Sequence, residues 1–97
     1  MLCLVILRPA PDEFATLKAY EDGVLPLLRD HGAALIRRVR GLADEVEAHL
    51  IEFPTAESRD SYIADPRRAA LAPLWEASGA TREVFEVADV WRFRRFG

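Results

Sequence analysis

Ninety-seven residues, 51% hydrophobic and 30% charged, describe one globular domain of ordinary composition, large enough to fold but short of core. A formal net charge of −3 gives no general attraction for nucleic acid or an anionic bilayer. No apolar run approaches the roughly 20 residues of a membrane span, so neither a membrane nor a nucleic-acid partner is expected.

The Met1-Leu2-Cys3 start lacks the basic stretch of a signal peptide, which points to a cytoplasmic protein. The first predicted element is the strand Leu2 to Leu7, apolar at every position. A strand that faces water on one side alternates, so an unbroken run implies burial on both. Cys3, the single cysteine, excludes an internal disulfide and reads as a small buried hydrophobe.

Pro9 and Pro11 break the chain, and Asp12 is the predicted N-cap of a helix with Glu13 in its first turn. Phe14, Leu17, Val24 and Leu28 share one face of that helix, and Glu21 is the polar interruption. Pro26 cannot donate to residue 22, so a kink is expected there before His31-Gly32 ends the helix. A hairpin follows: Ala33 to Arg40, a turn at Gly41 to Asp44, then Glu45 to Phe53. Placing residue 40 opposite 45 sets Arg40 beside Glu45, Arg38 beside Glu47, Ile36 beside His49 and Ala34 beside Ile51. Two cross-strand pairs of opposite charge favour that register.

Thr55 is the predicted N-cap of a second helix, which restarts at Asp65-Pro66 with Asp65 as cap. Ala70, Leu71, Leu74 and Trp75 form the inner face of the restarted piece, Pro73 disturbs it, and Ser78-Gly79 ends it. Thr81 to Ala88 reads as the last main strand. The tail, residues 89–97, reads as an edge strand by its spaced aromatics Trp91 and Phe93, and its Arg92, Arg94 and Arg95 as solvated charge.

The order is β-α-β-β-α-β. Right-handed crossovers place the first and third strands at the centre of a four-stranded antiparallel sheet of order 4-1-3-2. The prediction is an α+β, ferredoxin-like sandwich over residues 1–97. Two helical regions cover one face of such a sheet, so the other face must meet a second copy of the chain. A homodimer is therefore expected.

The segments Tyr20-Glu21, Val24 to Leu28, His31-Gly32, His49 to Thr55 and Tyr62 to Arg68 resemble a known group. They are similar to a branch of small domains in the dimeric α/β-barrel superfamily, near the antibiotic-biosynthesis monooxygenases, EthD-like proteins and muconolactone isomerases. The resemblance implies a homodimer joined through the open sheet faces. It also implies a small pocket between sheet and helices in each subunit, and a C-terminal tail that reaches the partner subunit. One position departs: Arg59 shares the face of Tyr62 and Ile63, where the group carries an aromatic. Snorkelling at the helix edge is expected for it; pointing inward, it would need a carboxylate or a ligand anion.

Recognisable catalytic machinery is sparse: there is no glycine-rich phosphate loop and no Gly-x-Ser-x-Gly elbow. Two scattered histidines and one cysteine make no metal site, so neither metal nor cofactor is expected. His49 is the best candidate for general acid/base work, lying on an inner strand two residues from the carboxylate of Glu47. The competing role is a hydrogen-bonded core or dimer-contact histidine. Tyr20 and Tyr62, one on each helix, can place hydroxyls over the same sheet face, and Trp75 can form an aromatic wall; packing is the competing role for all three. Arg38 is a candidate ligand contact or a cross-strand partner of Glu47. His31, at a helix end, reads as structural. The function this supports is binding of a small, partly apolar metabolite. The alternatives are a cofactor-independent monooxygenase or isomerase using His49, and a non-catalytic interaction module.

Overall fold

The computed structural model describes residues 1–90. Four strands, β1 (Leu2–Arg8), β2 (Ala34–Arg40), β3 (Glu47–Glu52) and β4 (Thr81–Val87), form one antiparallel sheet in the order β2-β3-β1-β4. This is the predicted ferredoxin-like order, with the all-apolar β1 at the centre between β3 and β4. The expectations for residues 91–97, the edge strand, the arginine cluster and the reach to a partner, lie outside the described residues.

Helix α1 (Phe14–Val24) runs into a 3-10 segment, Leu25–His31, with Pro26 in its first turn. That change of helix type is how the chain accommodates the missing donor at Pro26. Gly32, at φ +71, closes the segment in the left-handed conformation that favours glycine. The N-terminus of α1 differs from expectation. Ala10 to Glu13 form a tight turn closed by the Glu13 N–H on the Ala10 carbonyl at 3.0 Å. Pro11 leads that turn and Asp12 takes φ +67 at its third position. Asp12 therefore turns the chain instead of capping the helix.

The second helical region matches its sequence punctuation. In α2 (Ala56–Ile63), the Thr55 side chain accepts from Ser58 N–H at 3.0 Å. In α3 (Pro66–Ala70), Asp65 accepts from Arg67 N–H at 2.9 Å. The chain breaks at Leu71, and α4 (Ala72–Ser78) carries Pro73 in its first turn. Each stop costs little because a side-chain acceptor or a proline stands where a backbone donor would go unused. Ala70, expected on the inner face, is exposed, while Leu71, Leu74 and Trp75 are half-buried. The break at Leu71 rotates the two short helices relative to each other.

The hairpin register also differs. Arg40 pairs with Glu47, Arg38 with His49 and Arg37 with Leu50, two residues along from the expected pairing. The Gly41 N–H donates to the Val46 carbonyl at 2.8 Å, so Gly41 stays in the ladder and the turn begins at Leu42. Asp44, at φ +59, bends the loop. A shift of two preserves the faces of Arg37 to Arg40, whereas Leu35 and Ala34 move by only one and change face. A bulge between Leu35 and Arg37 expels Ile36, so Ile36 does not oppose His49.

All helices lie on one side. Cys3 and Leu7 of β1 and Ile51 of β3 are buried beneath Leu17, Val24, Leu25, Leu28 and Tyr62, with Phe53 closing one end. The smallest dimension of the fold is 19 Å, the thickness of one helix layer on one sheet. The opposite side carries the alternate residues. Leu4 sits between Leu50 and Phe85, and Ile6 between Ala48 and Glu83, with Val39 and Val87 beyond. Phe85 and Val39 each retain 47% of their exposure. No helix among the described residues is long and apolar enough to cross a membrane.

Candidate active site

His49 lies on the helix-covered face of β3 and keeps only 2% of its exposure. Alternation puts Glu47 and Ile51 on the same face, and α1 brings Glu21 over them. His49 Nε2 lies 2.8 Å from Glu47 Oε1, and its Nδ1 lies 3.8 Å from Glu21 Oε2. The first separation is a hydrogen bond; the second is too long for one and leaves Nδ1 without a protein partner at bonding distance.

Glu47 is fixed from the other side. The Arg38 Nε–H donates to Glu47 Oε1, and Arg40 Nε stands 3.5 Å from Oε2. Burial pushes the Glu47 carboxyl up, but the hydrogen bonds from His49 and Arg38, with the Arg38 charge, outweigh it and hold it at about 2. An ionised Glu47 only accepts, so His49 Nε2 must carry the proton in their bond. When the ring holds one proton, the lone pair is on Nδ1, facing Glu21. Glu21 is the opposite case: burial raises its carboxyl above the usual range, and the charges of His49 and Arg82 only partly oppose this.

This pair borders a cavity of about 130 Å³ between sheet and helices. Its apolar walls are Cys3, Val5, Leu25, Ile51, Phe53, Ile63 and Val84; its polar lining is Glu21, His49, Arg59, Tyr62, Arg68 and Arg82. The volume is close to that of a site that holds a benzene ring. Burial pushes the Cys3 thiol up, so it stays protonated and acts as wall.

Among the residues singled out from sequence, His49 and Tyr62 line the cavity, and Tyr20, Arg38 and Trp75 stand behind it. The Tyr62 hydroxyl donates to the Val24 carbonyl at 3.2 Å, and burial pushes its pKa up to about 12. It is committed to the fold, not poised as an acid. Tyr20 stacks against Trp75 with ring centroids 5.4 Å apart, and its hydroxyl accepts from Arg68 Nη2 at 3.3 Å. Arg38 acts on the site through Glu47, and Asp22 Oδ1 holds its far end at 3.2 Å. Arg59 reaches the rim while pairing with Asp60 at 3.0 Å, so it combines the two dispositions expected for it. His31 bonds Asp65 at 2.8 Å and ties the end of the 3-10 segment to α3, a structural role.

Glu21, Arg68 and Arg82 are the lining groups that sequence reasoning left out. Glu21 was visible as the charged interruption of an apolar helix face. Arg82 was visible as the residue two before Val84, on the same side of β4. Arg68 had no local signal.

No family model and no curated protein matches the sequence. Solved structures do. SnoaB, a cofactor-independent oxygenase from Streptomyces nogalater, is 12% identical with a TM-score of 0.67 over 90% of this chain and 92% of that one. An uncharacterised NIPSNAP domain protein from Burkholderia xenovorans is 17% identical with a TM-score of 0.65, over 96% and 100%. A dimeric ferredoxin-like protein from Jannaschia is 18% identical with a TM-score of 0.57, over 90% and 100%. An antibiotic biosynthesis monooxygenase is among the further matches. The chain thus has the ferredoxin-like α+β fold found in antibiotic-biosynthesis-monooxygenase-type proteins.

Proposed function

We propose that this protein is a homodimer that binds a small, partly apolar ring compound in the cavity beside His49. The observation that carries this is a benzene-sized space with apolar walls and two buried ionisable groups, Glu21 and His49, at 3.8 Å. Ionisable groups are costly to bury without a task or full pairing. Support for the dimer comes from the face of β1 where, among the described residues, Leu4 and Ile6 have no helix above them. Jannaschia's dimeric ferredoxin-like protein gives the same fold a two-chain form.

A second reading is enzymatic, and the Glu47–His49 pair favours it. A carboxylate that fixes one imidazole nitrogen while the other faces a substrate space is the arrangement of a general base. His49 Nδ1 would take a proton from an acidic carbon or hydroxyl of the bound ring, as an isomerase or a cofactor-independent oxygenase requires. SnoaB, a protein of this fold, is such an oxygenase.

A thermal-shift screen of phenols, benzoates and cyclic enones tests the proposal. A ligand at a hundred times its Kd adds about 2.7 kcal/mol, which raises the melting temperature by roughly 10 °C or more for a domain of this size. A His49→Ala variant that remains folded and dimeric should lose that shift, and any turnover with it. No shift from any member of the screen would contradict the proposal.

A further inference from the structure

Two cations on the cavity wall have no close ion-pair partner among the described residues. Among the described residues, neither Arg68 nor Arg82 has a carboxylate within 4 Å, whereas Arg59 has Asp60 and His49 has Glu47. Both are instead stacked on aromatic rings. The Arg68 guanidinium lies 4.5 Å from the Tyr62 ring centroid and the Arg82 guanidinium 4.0 Å from that of Trp75. A guanidinium held over a ring face keeps N–H groups at its edge for an acceptor, and among the described residues Arg68 spends only Nη2, on the Tyr20 hydroxyl. The Arg68 Nε–H is buried and has no acceptor, a donor that a ligand oxygen would satisfy.

We infer that the ligand is a small planar monoanion, an aromatic ring carrying a carboxylate, its ring against the apolar wall and its carboxylate on Arg68 and Arg82. The inference rests on the cavity being the ligand site. Its orientation follows from exposure. Arg82 and Val84 lie on the exposed side of the cavity, while His49 is buried. The carboxylate therefore stays near the opening and the ring reaches Val5 and Ile51. Glu21, the remaining acid on the wall, forms no ion pair with either arginine among the described residues, and burial raises its carboxyl against their opposing charges. A planar acid also suits the space, since about 130 Å³ is close to the volume of a site that holds one ring.

Calorimetric titration with benzoate and with its neutral isostere benzamide tests the inference on the purified protein. Benzoate should bind at least about tenfold more tightly, as charge-assisted hydrogen bonds outweigh neutral ones. Arg82→Gln, at the exposed rim of the cavity, should weaken benzoate by at least about tenfold and benzamide by less, so that the gap between the two closes. Arg68→Gln should do the same, provided its melting temperature shows the fold intact. Equal binding of the two compounds, or benzoate binding unchanged in Arg82→Gln, would overturn the charge assignment and leave the cavity reading standing. Binding of neither would overturn the inference, while the cavity reading falls only if the wider screen of ring compounds also fails.

Discussion

Replacing Leu4 with arginine is expected to turn the proposed dimer into a folded monomer. Leu4 lies at the middle of the uncovered sheet face, flanked by Leu50 on β3 and Phe85 on β4. In a two-fold dimer joined through this face, one substitution places two guanidinium groups in the interface. Each loses water without a carboxylate to replace it, at several kcal/mol per ion. A total penalty of even about 3 kcal/mol weakens association a hundredfold. The single chain survives because the new side chain faces water there and the helix-covered core beneath β1, at Cys3 and Leu7, is untouched. Sedimentation of the variant at micromolar concentration should give one chain mass with an unchanged circular dichroism spectrum. A variant of undiminished dimer mass would locate the contact elsewhere.

Glu47 sets the second large effect, this time on stability. It is 1% exposed and stands between Arg38 and His49, each within hydrogen-bond reach. Glu47→Ala leaves Arg38 partly buried without its main acceptor and His49 without its orienting partner. Removing one member of a buried ionic pair costs about 3–5 kcal/mol, a large part of the 5–15 kcal/mol that holds a typical domain. Glu47→Gln keeps the shape and some hydrogen bonding and should cost less, about 1–3 kcal/mol.

The pH dependence has a definite sign. The Glu47 carboxyl drops from an ordinary 4.5 to about 2 on folding. Its contribution, of the order of 3 kcal/mol, is present above pH 4.5 and is lost as pH falls towards 2. Asp65, hydrogen-bonded by Arg67 and His31, is lowered as well and adds to the acid loss. Glu21 works the other way. Its raised carboxyl favours folding at pH below its unfolded value, and that contribution fades as pH rises through the folded one. Urea melts of wild type between pH 7 and pH 3 should show a fall in stability that is smaller in Glu47→Gln, which keeps only the Asp65 part of it. Parallel curves for the two proteins would remove Glu47 from this role.

The sequence carried the fold because its boundaries are written in short-range chemistry. The unbroken apolar run of β1 marked the sheet centre, and Thr55, Asp65-Pro66 and Gly79 marked helix ends. What failed was also local: Asp12 reads equally as a cap or a left-handed turn residue, and the neighbouring Pro11 decided for the turn. The hairpin slipped by two because Gly41 was taken for the turn when it belongs to the ladder. The faces of Arg37 to Arg40 survived that slip, and Glu47 and His49, two apart on one strand, share a face in any register. The rest of the site depends on contacts between elements distant in the chain. Arg68, on α3, meets Tyr20 on α1 and Tyr62 on α2, and nothing in residues 66–70 announces that meeting. Arg38 was weighed as a ligand contact or a partner of Glu47, and the structure shows the partner.

The most direct test of the site is nitrogen-15 NMR of the His49 ring in protein labelled at histidine, with His49→Gln used to assign its signals. When the ring carries one proton, that proton should reside on Nε2, with Nδ1 bare, and filling the cavity with a binding ring compound should move the Nδ1 signal. A single proton found on Nδ1, or a His49 ring indifferent to a bound ligand, would contradict the assignment of this histidine as the working group of the cavity.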